Sequence, residues 1–351
     1  MKRINDLVKP ETMTIKTLKD QFNSGIMYVD DSFQRRYVWL RKNQIKLIET
    51  ILKGFIIPEI FIWDQETDPD TGESKRSIVD GQQRIRSIVD FINGEYSLTK
   101  AHLDDQDASY AGKSFSNLDP EDKKLIWDYS LSVQRIQSSV TREEVINIFL
   151  RLNSTDKSLN PQELRNAEYN GLFLQNAIQI SNNPFWSVHK VFSPDLLRRM
   201  GDVEFVSSLL IFLRKGINSE LTQNSINNAY DLFNEKYDEM EEDKHTIEKI
   251  LAEIDRIVLK DCDHILDNYI SKTAHLYTFV VTLYGYLVRG NPLSDIQIER
   301  LLSFYKCYEN SSNEKAQEYK KLLLQGTRSK PNRMNRMRIL QGVIEGKIHI
   351  E

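Results

Sequence analysis

The sequence predicts an α+β protein: a mixed α/β domain over residues 1–168, followed by an all-helical domain over residues 169–351. Three observations predict it. Short β-like runs alternate with helical periods in the first half, whereas only helical periods recur in the second. The length of 351 residues is about two domains' worth of chain at roughly 150 residues each. With 40% hydrophobic and 28% charged residues, the chain can build cores and is too apolar to stay disordered.

In chain order, Ile48, Ile51, Leu52 and Phe55 fall at helical spacing. Glu59-Ile60-Phe61-Ile62-Trp63 and Ser77-Ile78-Val79 are short β-like runs, and the stretch from Asp64 to Lys75, with Pro69 and Gly72, is the loop between them. Ile85, Ile88, Val89 and Ile92 repeat the helical spacing and stop at Asn93-Gly94. Tyr129 to Ile136 is a strand with Leu131, Val133 and Arg135 on one face. Thr141-x-x-Glu144 is a capping box opening a helix whose stripe is Val145, Ile148, Phe149 and Leu152. Beyond residue 169 come three further stripes: Val206, Leu209, Leu210 and Leu213; Leu276, Phe279, Val280 and Leu283; and Ile298, Leu301, Leu302 and Tyr305.

Charge and composition exclude several classes. Lys+Arg is 47 against 51 Asp+Glu, so the net charge of −4 rules out a globally basic nucleic-acid coat. Cys262 and Cys307 cannot form a disulfide framework and are expected as buried thiols. The first residues carry no signal-peptide pattern and no run of about 18 apolar residues occurs, so a cytoplasmic protein without membrane contact is expected. Gly112-Lys113-Ser114 lacks the first glycine of a phosphate loop, since position 107 is Asp107. Asp68, Asp70, Glu73 and Lys75 crowd into one turn, which suits loop chemistry better than a metal-nuclease or calcium site. The histidines never pair at ligand spacing, so no zinc site is expected.

The most informative stretch is Ser77-Ile78-Val79-Asp80-Gly81-Gln82-Gln83-Arg84, a strand running into an amphipathic helix. The helix start lies near Gly81, where backbone N–H groups and the positive end of the dipole face outward. A glycine there lets an anion approach the backbone. Arg84, in the first turn, leans back toward that end and can reach the same anion. Asp80 either caps the helix or holds a metal ion. An ordinary capped helix with Arg84 in solvent is the competing reading. Before it, Phe33-Gln34-Arg35-Arg36-Tyr37-Val38-Trp39 interleaves two arginines with aromatics, which suits phosphate and a planar base, or alternatively a loop packed on the core. After it, Phe149-Leu150-Arg151-Leu152-Asn153 ends one helix, and Pro161 begins another within Leu159 to Ala167. From Lys320 to Arg338 the chain carries Lys320, Lys321, Arg328, Lys330, Arg333, Arg336 and Arg338 with no acid. That run is a solvated face or a patch for nucleic-acid phosphates, with Lys330, Arg333, Arg336 and Arg338 as the candidate contacts.

Taken together, Phe33-Gln34-Arg35-x-Tyr37-x-Trp39, Val79-Asp80-Gly81-Gln82-Gln83-Arg84 and Phe149-x-Arg151-x-Asn153 through Leu159 and Glu163 resemble the GmrS-like family, the N-terminal domain of GmrSD-type modification-dependent restriction systems. The resemblance implies a ParB/sulfiredoxin-like fold over residues 1–168. It also implies binding and hydrolysis of a nucleoside triphosphate with Mg2+, in defence against phage DNA carrying modifications. Asp80, Gln82, Gln83 and Arg84 would be catalytic, with Asp80 the candidate Mg2+ ligand. Gly81, Arg84, Gln34, Arg35, Arg36 and Tyr37 would hold the nucleotide. Longer relatives carry a His-Asn nuclease domain for which no framework is found here. The expected partners are therefore modified DNA, a separate His-Asn-type nuclease and further copies of the chain. A non-catalytic DNA-binding or nucleotide-switch module, or a nickase using the same pocket, are the alternatives.

Overall fold

A computed structural model describes residues 3–30, 37, 39–154, 159–309 and 313–349. The chain divides into two compact units, Met1–Glu168 and Tyr169–Glu351. The first is mixed α/β. Its elements are β1 (Val8–Thr14), α1 (Ile15–Asn23), β2 (Met27–Val29), α2 (Arg41–Leu52), β3 (Ile60–Asp64), β4 (Arg76–Asp80), α3 (Gln82–Ile92), α4 (Pro120–Asp128), β5 (Ser130–Ile136), α5 (Arg142–Ser154) and α6 (Pro161–Glu168). The five strands form one mixed sheet in the order β1-β5-β3-β4-β2. β1 pairs antiparallel with β5 and β3 with β4, whereas β3/β5 and β4/β2 are parallel. Pro10, which cannot donate to a ladder, sits on the edge strand β1.

Both faces of the sheet are covered, which explains the continuous apolar runs of β3 and β4. Alternate side chains point to opposite faces. Ile60, Ile62, Ile78, Leu131 and Val133 join one core with Ile45, Ile48, Ile85, Ile88 and Phe91 of α2 and α3. Val79 and Ile136 join the other with Val145 and Phe149 of α5 and Ala167 of α6, and Phe61 and Trp63 pack against it. The candidate chemistry therefore lies at the C-terminal end of β4, at Asp80, where the strand leaves the sheet.

Local expectations hold where local forces decide. Thr141 N–H donates to Glu144 Oε2 at 2.9 Å and Glu144 N–H to Thr141 Oγ1 at 3.3 Å, completing the capping box. Asp68 Oδ1 accepts the N–H groups of Asp70 and Thr71 at 2.8 and 2.9 Å, so the acidic turn is held by its own backbone. Arg135, in phase with Leu131 and Val133, is ion-paired with Asp64 at 2.6 Å. Two expectations are corrected. Phe55 does not continue the α2 stripe: the helix stops at Leu52, Gly54 turns with φ 69°, and Phe55 and Ile56 are exposed. Cys262 is exposed in a turn and Cys307 is half-buried.

The second unit is helical: α7 (Leu172–Ser181), α8 (Phe185–Val188), α9 (Pro194–Arg198), α10 (Gly201–Lys215), α11 (Gln223–Leu232), α12 (Met240–Val258), α13 (Asp267–Ile270), α14 (Thr273–Leu287), α15 (Asp295–Cys307), α16 (Glu314–Leu324) and α17 (Lys330–Ile344). α14 is buried from His275 to Leu283 on every side, as its apolar composition requires, and the other helices pack around it and α10. Asp243 on α12 is buried and accepts from Tyr237 Oη and from Arg214 Nη2, each at 2.5 Å. Among the described residues no helix is long and apolar enough to cross a membrane.

Candidate functional site

The site is built where β4 hands over to α3. The β3–β4 register shifts between Phe61 and Ile62, so that Phe61 faces Asp80 and Ile62 faces Ile78. Val79 is passed over, the kind of irregularity that re-aims the residue beside it. The strand then ends at Asp80, and Gly81 is the N-cap of α3 with φ 101° and ψ 4°. A left-handed backbone favours glycine, and space demands it as well: a Cβ here would lie 3.0 Å from Ile60 Cγ1 and 3.3 Å from Arg84 Nη2. The N-cap position is Gly81, which has no side chain, so Asp80 is not the cap.

Asp80 instead faces across the glycine. Arg84 Nη2 donates to Asp80 Oδ2 at 2.7 Å and to the Glu59 carbonyl at 2.9 Å. The Arg84 side chain is 15% exposed and that of Asp80 29%, so the pair borders solvent without being loose in it. Among the described residues, the buried Arg84 Nε and Gln82 Oε1 have no hydrogen-bond partner. A spare donor and a spare acceptor on one helical turn are what a polar ligand at this corner would satisfy. Gln83 is engaged elsewhere, since its Oε1 accepts the Trp39 N–H at 3.1 Å.

Tyr37 is tied to the same helix. Ser87 Oγ donates to the Gln83 carbonyl at 2.6 Å, which uses its only hydrogen. Tyr37 Oη, 2.8 Å from Ser87 Oγ, must then donate to it, and accepts in turn from Gln44 Nε2. The Arg86 guanidinium lies over the Tyr37 ring, 5.2 Å from its centroid. Burial pushes the Tyr37 phenol above its ordinary pKa, so it remains a donor. Gln34, Arg35 and Arg36, the other nucleotide candidates, lie outside the described residues.

The sequence-predicted residues Asp80, Gly81, Gln82, Gln83, Arg84 and Tyr37 thus gather around the start of α3. Lys330, Arg333, Arg336 and Arg338 do not form a stripe. Arg333 and Arg336 are 2% and 1% exposed, inside the helical unit, where no duplex phosphate reaches them, so the phosphate-contact expectation for these two is corrected. Arg338 is exposed and Lys330 half-buried. Among the described residues no group of three or more His, Cys, Asp and Glu side chains converges on a metal position. Asp80 brings one carboxylate, which fits the way Mg2+ is held chiefly by the phosphates of its nucleotide.

Sequence reasoning missed Ser87, Gln44 and the Glu59 carbonyl, none of which carries a motif signal. It also missed the inverted character of α6, whose Gln162, Glu163, Arg165 and Asn166 are all buried. The signal was present, because this helix has too few apolar residues to supply a buried face. Glu163 and Asn160 cap it reciprocally at 2.7 and 2.8 Å.

A mixed-sheet α/β domain whose strand–glycine–helix corner carries an aspartate–arginine pair is the class defined by this fold and site. Residues 15–170 match the family described as GmrSD restriction endonuclease, N-terminal domain. The chain therefore carries the N-terminal domain of this family, and its association is with GmrSD-type modification-dependent restriction systems. Comparison with curated proteins and with solved structures gives no match.

Proposed function

We propose that this chain is the nucleotide-binding and -hydrolysing subunit of a modification-dependent antiphage restriction system, acting with a separate DNA nuclease. Its nucleotide domain, residues 1–168, then has the ParB/sulfiredoxin-like character that the motifs imply. The observation that carries the reading is the β4–α3 corner, with its left-handed glycine at the helix start, its Asp80–Arg84 pair at 2.7 Å and, among the described residues, the unpartnered Arg84 Nε and Gln82 Oε1.

In this reading the first-turn amides and Arg84 hold the phosphates. Asp80 would be the protein ligand of Mg2+, which when bound with the nucleotide would supply positive charge against its phosphates. Gln82 Oε1 accepts a hydrogen bond from the attacking water, whose oxygen bonds to the terminal phosphorus as the bridging oxygen leaves with its electron pair. The products are nucleoside diphosphate and inorganic phosphate. Gln83, whose Oε1 accepts the Trp39 N–H, is a positioning residue that holds Trp39 against the start of α3.

Arg84→Ala tests the corner. It should weaken nucleotide binding by about tenfold or more, the loss of a charge-assisted contact, with little change in the ligand-free thermal midpoint. Undiminished affinity would remove the nucleotide from this corner. A second reading is favoured by the closed Asp80–Arg84 pair: a switch that nucleotide opens without hydrolysis. Nucleotide binding without steady-state phosphate release, in the presence or absence of modified DNA, would select it.

A further inference from the structure

The helical unit contains a cavity of about 280 Å³ with Arg328, Arg333 and Arg336 on its wall. The last two are the feature that asks for a ligand. Arg333 donates to the carbonyls of Arg328 and Ser219 and to Tyr277 Oη. Arg336 donates to Thr278 Oγ1 at 3.0 Å and to the carbonyls of Leu322 and Thr327 at 2.9 Å each. All six acceptors are neutral. Among the described residues neither guanidinium meets a carboxylate. The one carboxylate on the cavity wall, Glu204, is 2.7 Å from Arg328.

Two cations enclosed side by side without a counter-ion are costly, because hydrogen bonds to neutral oxygens do not cancel their charge. Burial and the neighbouring Arg333 both lower the pKa of Arg336. An arginine cannot relieve this by shedding its proton near neutral pH. Each guanidinium has five N–H groups and three are engaged, so donors remain for a guest. The lining also includes the apolar side chains of Phe192, Phe205 and Leu221. We infer that this cavity binds a small phosphate monoester, its phosphate on Arg333 and Arg336 and its organic part against the phenylalanine wall. The site is separate from the Asp80–Arg84 corner and does not depend on the function proposed there.

Calorimetric titration of the full chain with inorganic phosphate and with adenosine 5′-monophosphate tests it. Both should bind, the monophosphate more tightly because it also meets the apolar wall. Ala274→Trp places a large ring on the cavity wall and should weaken both by about tenfold or more, as should Arg336→Gln. Arg338→Gln, at an exposed position of the same helix, should leave this binding unchanged. Three results would overturn the inference: no binding of either probe at millimolar concentration, full binding in a folded Ala274→Trp, or an equal loss in Arg338→Gln. A short single-stranded oligonucleotide whose binding, in place of the small anions, is lost in Ala274→Trp would also overturn it.

Discussion

Arg84 in the α/β unit and Arg336 in the helical unit are both largely enclosed, and they are compensated in opposite ways. Arg84 shares a carboxylate, Asp80, at 2.7 Å and keeps its Nε–H unpartnered. Arg336 is 1% exposed and meets only a hydroxyl and two carbonyls. A cation with a carboxylate beside it is at rest until a stronger anion competes for it. A cation among neutral oxygens has no such resting partner, and its charge is still to be answered. On the two proposals above, the arginines would mark two kinds of anion site, one gated by its own aspartate and one without a carboxylate among the described residues.

A third arginine offers the most forceful challenge to this contrast. Arg214 in the helical unit has the carboxylate that Arg336 lacks, from Asp243, which is 1% exposed. Asp243→Ala should cost about 1–3 kcal/mol, because it strips the buried carboxylate from Arg214 and Tyr237 and leaves Arg214 only its more exposed partner Glu239 at 3.0 Å. A urea midpoint within error of the parent would show that this fold tolerates an enclosed arginine that has lost its buried carboxylate and would weaken the case for a ligand at Arg336.

At the first site, Asp80→Ala removes the gate. Phosphate release should fall by about a hundredfold or more if Asp80 serves the reaction. Stability should move by only about 1 kcal/mol or less, since the pair borders solvent. Unchanged turnover would leave Asp80 as an ion-pair partner alone. Gly81→Ala probes the same corner through the backbone. Left-handed strain of about 1–2 kcal/mol, added to the contact with Ile60, should lower the thermal midpoint by several degrees. A midpoint equal to the parent's would mean that the corner is not held in this geometry.

The smallest effect per pH unit separates arginine from histidine. His275, buried near Tyr305 and Tyr319, has its pKa lowered by burial to about 3. Above the unfolded value of about 6.5 both states are neutral and stability is complete. Below it the unfolded chain takes up a proton that the folded one refuses, so stability should fall by about 1.4 kcal/mol per pH unit toward pH 3. His275→Phe should show a shallower loss between pH 6.5 and 5 than the parent. Equal slopes would mean that His275 is protonated in the fold. Unlike Arg336, His275 can escape an apolar interior by staying neutral.

Short-range chemistry is what the order of amino acids controls unaided. Periodicity placed Ile85, Ile88 and Val89 on the buried face of α3, Thr141 and Glu144 formed their box, and Pro161 opened α6. The motif from Asp80 to Arg84 drew attention to a real corner, because a strand end, a left-handed glycine and a helix start are consecutive in the chain. Packing alone settled who meets whom. Nothing local says that Arg84 reaches the Glu59 carbonyl, that Tyr37 hangs on Ser87, or that Gln83 holds Trp39, since those partners lie 25, 50 and 44 residues apart. The basic run from Lys320 to Arg338 gives the clearest case. Charge counting treats its arginines alike, but α17 packs with one side against α14, so Arg333 and Arg336 are carried inside while Arg338 stays in solvent. The physical reason is that burial belongs to a helix face, which only packing selects, whereas charge belongs to the residue.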